Sequence, residues 1–88
     1  MSPRLALAAL LLMGSTAAAQ TPATRPGLPP QGMSCPFTHP IKGNFTTYSG
    51  EPCIHHMPGG YFYGKTRPER CYATEAEAVR DGCRRSKR

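Results

Sequence analysis

Acidic side chains are scarce. Five Asp and Glu stand against eleven Lys and Arg, for a formal net charge of +6 over 88 residues. Those five are Glu51, Glu69, Glu75, Glu77 and Asp81, and three of them fall in a segment whose helix caps explain them. Carboxylate-pair chemistry therefore has little to draw on, and no Ser stands with a local His and acid in a recognisable catalytic motif. Close cysteine pairs of the C-x2-C kind are also missing. The four cysteines, Cys35, Cys53, Cys71 and Cys83, are separated by seventeen, seventeen and eleven residues, which disfavours a zinc site. No apolar run is long enough to span a membrane. Leu5–Met13 is nine residues, against about 20 needed to cross a hydrocarbon core of roughly 30 Å.

That short run has another reading. Arg4 supplies a positive n-region, Leu5–Met13 the apolar h-region and Ala17-Ala18-Ala19 an A-x-A cleavage site. Residues 1–19 are thus expected to be a secretory signal peptide, with the mature chain starting at Gln20 and having no transmembrane segment. Export to the periplasm or the extracellular space permits disulfides. A core of about 50 residues is marginal without staples, and each bridge can add ~2–4 kcal/mol.

Residues 20–34 read as a linker. Pro22, Pro26, Pro29 and Pro30, with Gly27 and Gly32, leave no room for a helix or a paired strand, so an extended, disordered tether is expected. The ordered domain, residues 35–88, is predicted as α+β: a small antiparallel sheet with one short C-terminal helix, stapled by disulfides. Ile41–Thr46 and Glu51–His56 read as a hairpin turned at Tyr48-Ser49-Gly50. Pro58-Gly59-Gly60 makes a second turn, Tyr61–Tyr63 a third strand and Cys71–Ala73 a fourth. Thr74 and Glu77 form a capping box, and Gly82 is placed to end the helix. The helix is expected to dock through Ala76, Val79 and Cys83, at i, i+3 and i+7. Four cysteines allow three pairings. Placing Cys83 and Cys71 in one layer favours Cys71–Cys83, which leaves Cys35–Cys53.

The chain resembles the small sunset domain in Ile41-Lys42-Gly43-Asn44, Gly50, His56-x-Pro58-Gly59-Gly60, Tyr63, Tyr72-x-Thr74-Glu75-Ala76-Glu77-Ala78 and Gly82-x-Arg84-Arg85-Ser86-Lys87. The resemblance runs from about Cys35 onward. That family occurs in bacterial secreted or envelope proteins. It is often found behind thermonuclease-like domains, and some members are named succinoglycan biosynthesis proteins. The resemblance implies an envelope setting and an envelope or nuclease-like protein partner, but no particular activity. More distantly, the domain is similar to the metal-binding module of the Ada DNA-repair methyltransferase. Gly60 and Ser86 stand where that module has metal cysteines, so the scaffold is expected without a metal site or any cofactor. Asn44-Phe45-Thr46 matches a glycosylation sequon, which the bacterial resemblance makes a chance match.

His39, His55 and His56 are the remaining metal candidates. His55 and His56 are adjacent in a predicted strand, point to opposite faces and cannot chelate together. His56 is expected to brace the Pro-Gly-Gly turn. The basic residues are more informative. Lys65, Arg67 and Arg70 fall in one loop, and Arg84, Arg85, Lys87 and Arg88 crowd the tail, where they are expected to contact an anion. Tyr61 is the nearby aromatic that could stack on a base; Phe62 is assigned to the core and Tyr63 left open between the two roles. A domain of this size is not expected to hold a large pre-formed cleft. The leading reading is a non-catalytic exported accessory module binding nucleic acid or an acidic polysaccharide. The second is a structural module without ligand, and the third a residual metal-binding domain.

Overall fold

A computed structural model describes residues 24–88. The expected signal peptide and cleavage site lie outside the described residues. Strands β1 (Ile41–Asn44), β2 (Ile54–His56), β3 (Arg70–Tyr72) and β4 (Arg84–Arg85), with helix α1 (Glu75–Arg80), make an α+β domain closed by two disulfides. The sheet order is β3-β1-β2-β4. β1 pairs antiparallel with β2 and with β3, whereas β4 runs parallel to β2, so the sheet is mixed rather than antiparallel. A strand next to β2 and parallel to it requires a crossover. β3 and α1, together with the loops between them, supply that return path.

Side chains alternate between the two faces of the sheet, and both faces are covered. On the first face lie Ile41, Gly43, His55 and Tyr72, against α1. Tyr72 is wholly buried, and its ring lies across Gly43 so closely that a Cβ there would come within 2.6 Å of Cε2. The Tyr72 hydroxyl donates to Asp81 Oδ2 at 2.7 Å. Ile41, Cys53, Tyr72, Ala78 and Cys83 form the core. On the second face lie Lys42 and His56, which meet the segment Tyr61–Thr66, and Cys71.

The alternation corrects the expected disulfides, which are Cys35–Cys71 and Cys53–Cys83, not Cys35–Cys53 and Cys71–Cys83. Within β3 it is Tyr72 that faces the helix, so Cys71 points the other way, where Cys35 meets it. Cys53 and Cys83 each precede by one residue the parallel register Ile54↔Arg84, which brings them side by side.

The helix has the expected ends. Thr74 Oγ1 accepts from the Glu77 N–H at 3.2 Å, while Glu77 reaches back to the Ala73 N–H rather than to that of Thr74. The bonds Cys83 N–H to Ala78 O and Gly82 N–H to Val79 O, with Gly82 at φ +97°, make a Schellman close. The buried face differs from expectation. Cys83 is buried as expected and Ala78 is fully buried beside it, whereas Val79 is 61% exposed and Ala76 is exposed. Six residues carry too little apolar area to choose a face, and the Cys53–Cys83 bridge and the Glu75–His55 contact set the rotation instead.

Two further expectations change. Tyr61–Tyr63 is not a strand. Pro58 and Gly59 (φ +89°) occupy the centre of a type II turn closed by Gly60 N–H to Met57 O, and a 3-10 turn follows at Tyr63–Lys65. The described part of the Pro-rich segment is not a free tether. Leu28 exchanges two backbone hydrogen bonds with Cys71 at the outer edge of β3. Arg25 grips Asp81, with Nη2 at 2.9 Å from Oδ2. The prolines exclude a regular strand but not a single bridge, and Leu28 supplies an N–H where its proline neighbours cannot.

Candidate anion-binding cleft

The second face of the sheet opens into a cleft of about 840 Å³, larger than a domain of this size was expected to hold. Its floor is Ile54 and His56, with Phe62 from the turn above. One wall comes from the β1–β2 connection, including Tyr48. The other is formed by Lys65, Thr66 and Arg67, and by Arg84, Ser86, Lys87 and Arg88. Two basic segments about twenty residues apart thus reach one concavity. The parallel pairing of β4 is what brings them there, continued by Ser86 N–H to His55 O at 2.9 Å and Tyr61 N–H to Arg88 O at 3.1 Å.

Of the eight expected contact residues, Lys65, Arg67, Arg84, Lys87 and Arg88 line the cleft, while Arg70, Arg85 and Tyr61 do not. Arg70 shares the helix-side face with Tyr72 and donates to the carbonyls of Pro26 and Gly27 at 3.0 and 2.9 Å. Arg85 pairs in register with His55 and so turns to the helix side. Its Nε lies 3.6 Å from Glu75, and it borders a smaller pocket of about 290 Å³ at the Pro58–Gly60 turn. Arg84, one residue earlier, faces the cleft but is clamped by both oxygens of Glu51. Arg84 and Ser49 together hold the Glu51 carboxyl down at about 2. Lys65 Nζ and the Arg88 guanidinium lie 4.4 and 4.5 Å from the centroid of the Tyr61 ring, so that ring already carries two cations.

Lys42 was not among the expected site residues, and it positions one wall. It is buried on β1, and Nζ donates to Tyr63 O at 2.9 Å and Thr66 O at 3.0 Å, with the Tyr63 ring centroid 4.5 Å away. Burial pushes its pKa down. This one ammonium ties together both ends of the turn that carries Lys65. A signal was available in sequence: Lys42 stands in a strand between two residues of the inner face, where alternation gives it a face of its own. Only the fold shows that this face is covered.

Glu69, the carboxylate within the cleft, accepts from the Phe45 and Thr46 N–H groups and from the Thr46 hydroxyl. Burial raises its pKa, but those donors outweigh it and leave the carboxyl below its usual value. His56 is 8% exposed, and its Nδ1 is buried without a hydrogen-bond partner. Burial, followed by the charges of His55, Lys42 and Arg84, pushes its pKa down. His55, on the opposite face, holds Glu75 Oε1 at 2.8 Å through Nε2. Both disulfides are formed, so no thiolate is free, and no group of three or more potential metal ligands occurs among the described residues. A comparison of the chain with protein-family models, with curated proteins and with solved structures finds no match in any of the three.

Proposed function

We propose that the chain is an exported, non-catalytic accessory module that binds an anionic polymer in the cleft formed by its basic loop and C-terminal segment. The observation that carries this reading is the convergence of Lys65, Arg67, Lys87 and Arg88 on one concave surface whose acid, Glu69, is already saturated by donors. Low-dielectric walls concentrate the field of such a group on whatever lies between them. Two disulfides fit an oxidising compartment, and no helix among the described residues is long and apolar enough to cross a membrane. Membership of the sunset family, with an envelope or nuclease-like partner, belongs to the same proposal and rests on the motif resemblance.

A structural module without ligand is the second reading. It is favoured by the number of cations that serve the fold: Arg25, Lys42, Arg70 and Arg84 all hold internal partners. Salt dependence separates the two. Lys65, Arg67, Lys87 and Arg88, which form no ion pair among the described residues, set the number of counterions released, and each neutralised phosphate of a single strand contributes about −0.7 to the slope of log K against log salt. Fluorescence anisotropy with a labelled anionic strand should give a slope of about −2 to −3, and Arg67→Ala or Lys87→Ala should each make it shallower by about 0.7. An absence of binding at low salt by the folded, oxidised protein would favour the structural module.

A further inference from the structure

We infer that the polymer is a single-stranded nucleic acid whose bases stack on Tyr48 and Phe62. This rests on the polyanion reading above and names its ligand class. Tyr48 projects fully exposed from the β1–β2 connection into the cleft lining, and it makes no aromatic or cation-π contact among the described residues. Phe62 lines the same cleft and is 37% exposed. Two rings at a concavity edged by cations that form no ion pair among the described residues match the way single strands are held: charge tracks the backbone while π-faces take the bases. Tyr61, the aromatic that sequence nominates, is outside the cleft lining; it stands edge-on to Phe62 at 4.8 Å, and Lys65 and Arg88 lie nearer its ring, at 4.4 and 4.5 Å, than that of Phe62, at 6.0 and 5.8 Å.

The hydroxyl groups argue against a carbohydrate. Saccharide recognition needs side-chain donors aimed at ring hydroxyls. In this cleft the protons of Thr46, Thr47, Ser49 and Thr66 are donated to Glu69 Oε2, Glu51 O, Glu51 Oε2 and Phe62 O. Asn44 Oδ1 accepts from the Thr46 N–H. Most of the polar neutral groups thus shape the wall; the Ser86 hydroxyl, which accepts from the Arg88 N–H, and the Asn44 amide keep donors of their own, and the rest of what is left open is positive charge and aromatic surface. Few groups remain for reading base edges, so binding should tolerate sequence.

The test measures anisotropy of the intact, oxidised protein with three probes of matched length and label: an oligo-dT, its abasic counterpart and a polygalacturonate. Oligo-dT should bind about fivefold or more tighter than the abasic strand. Tyr48→Ala should remove much of that advantage and leave the abasic affinity and the salt slope unchanged, while Tyr48→Phe retains it. Tyr48 is fully exposed, so the alanine variant keeps its fold; Phe62→Leu serves as the second, volume-conserving variant. Equal affinity for dT and abasic strands, with Tyr48→Ala silent, overturns the stacking proposal while the polyanion reading stands. Tighter binding of polygalacturonate than of dT overturns it in favour of an acidic polysaccharide. Absence of binding to all three overturns both readings.

Discussion

His56 shows how one buried side chain couples the cleft to stability. Its pKa is lowered in the fold, so the unfolded chain binds the proton more readily than the native one does. As pH falls through the unfolded value of about 6.5, the native state therefore loses stability, and the loss continues down to the depressed native value. Carboxylates act in a second, lower window. Glu51 at about 2 and Glu75, lowered by its bond to His55, contribute stability above roughly pH 4.3 that disappears as they protonate. Urea unfolding should show the midpoint falling between pH 7 and 5, and again below pH 4. His56→Gln should flatten the first decline and leave the second. A wild-type midpoint constant from pH 7 to 5 would rule out the first window. Lys42 belongs at the same scale: its covalent position was legible, but its partners, two carbonyls over twenty residues away, were not.

Secondary-structure elements were legible where local chemistry acts alone. The caps of α1 are a property of Thr74, Glu77 and Gly82 and appear where local rules place them. Thr74→Ala should cost ~0.5–2 kcal/mol, read as a fall in the urea midpoint at unchanged m-value. No change in that midpoint would mean that the Glu77 bond to the Ala73 N–H suffices on its own. The buried face of the same helix was not legible. Ala76, Val79 and Cys83 share a side by spacing, but a two-turn helix takes its rotation from what it is tied to, and it buries Ala78. β4 was hidden for a related reason. Two arginines have no strand pattern of their own and pair only because β2 offers an open edge. Tyr61–Tyr63 carries strand composition, yet the Pro58-Gly59 turn sends it over the sheet instead of along it.

At the scale of the whole molecule, the N-terminal arm is a structural part and not only a tether. Leu28 covers the edge of β3, Arg25 binds Asp81, and Arg70 is satisfied by the carbonyls of Pro26 and Gly27. A chain beginning at Pro29 should be less stable than one beginning at Gln20 by about 2 kcal/mol, since two backbone bonds and two arginine contacts are lost at a partly exposed edge. Paired thermal melts of the two oxidised forms would check this, and identical midpoints would return residues 24–28 to the role of linker.

Local chemistry along the chain sets the α+β class, the helix and its caps, the Tyr48–Gly50 and Pro58–Gly60 turns, the opposite facing of His55 and His56, and the presence of two staples. All of these follow from neighbours within a few residues, where backbone propensity, capping and alternation operate. Tertiary structure alone decided the disulfide partners, the direction of β4 and the fate of each cation. Arg84 and Arg85 are indistinguishable by composition, yet pairing with Ile54 sends one to the cleft and pairing with His55 sends the other to the helix side. Arg67 and Arg70 stand three residues apart, yet Arg67 lines the cleft and Arg70, the first residue of β3, is bound to the arm. The physical reason is common to all three. A strand places alternate side chains on opposite faces, and what each face meets depends on segments distant in the chain, whose arrival no local pattern records.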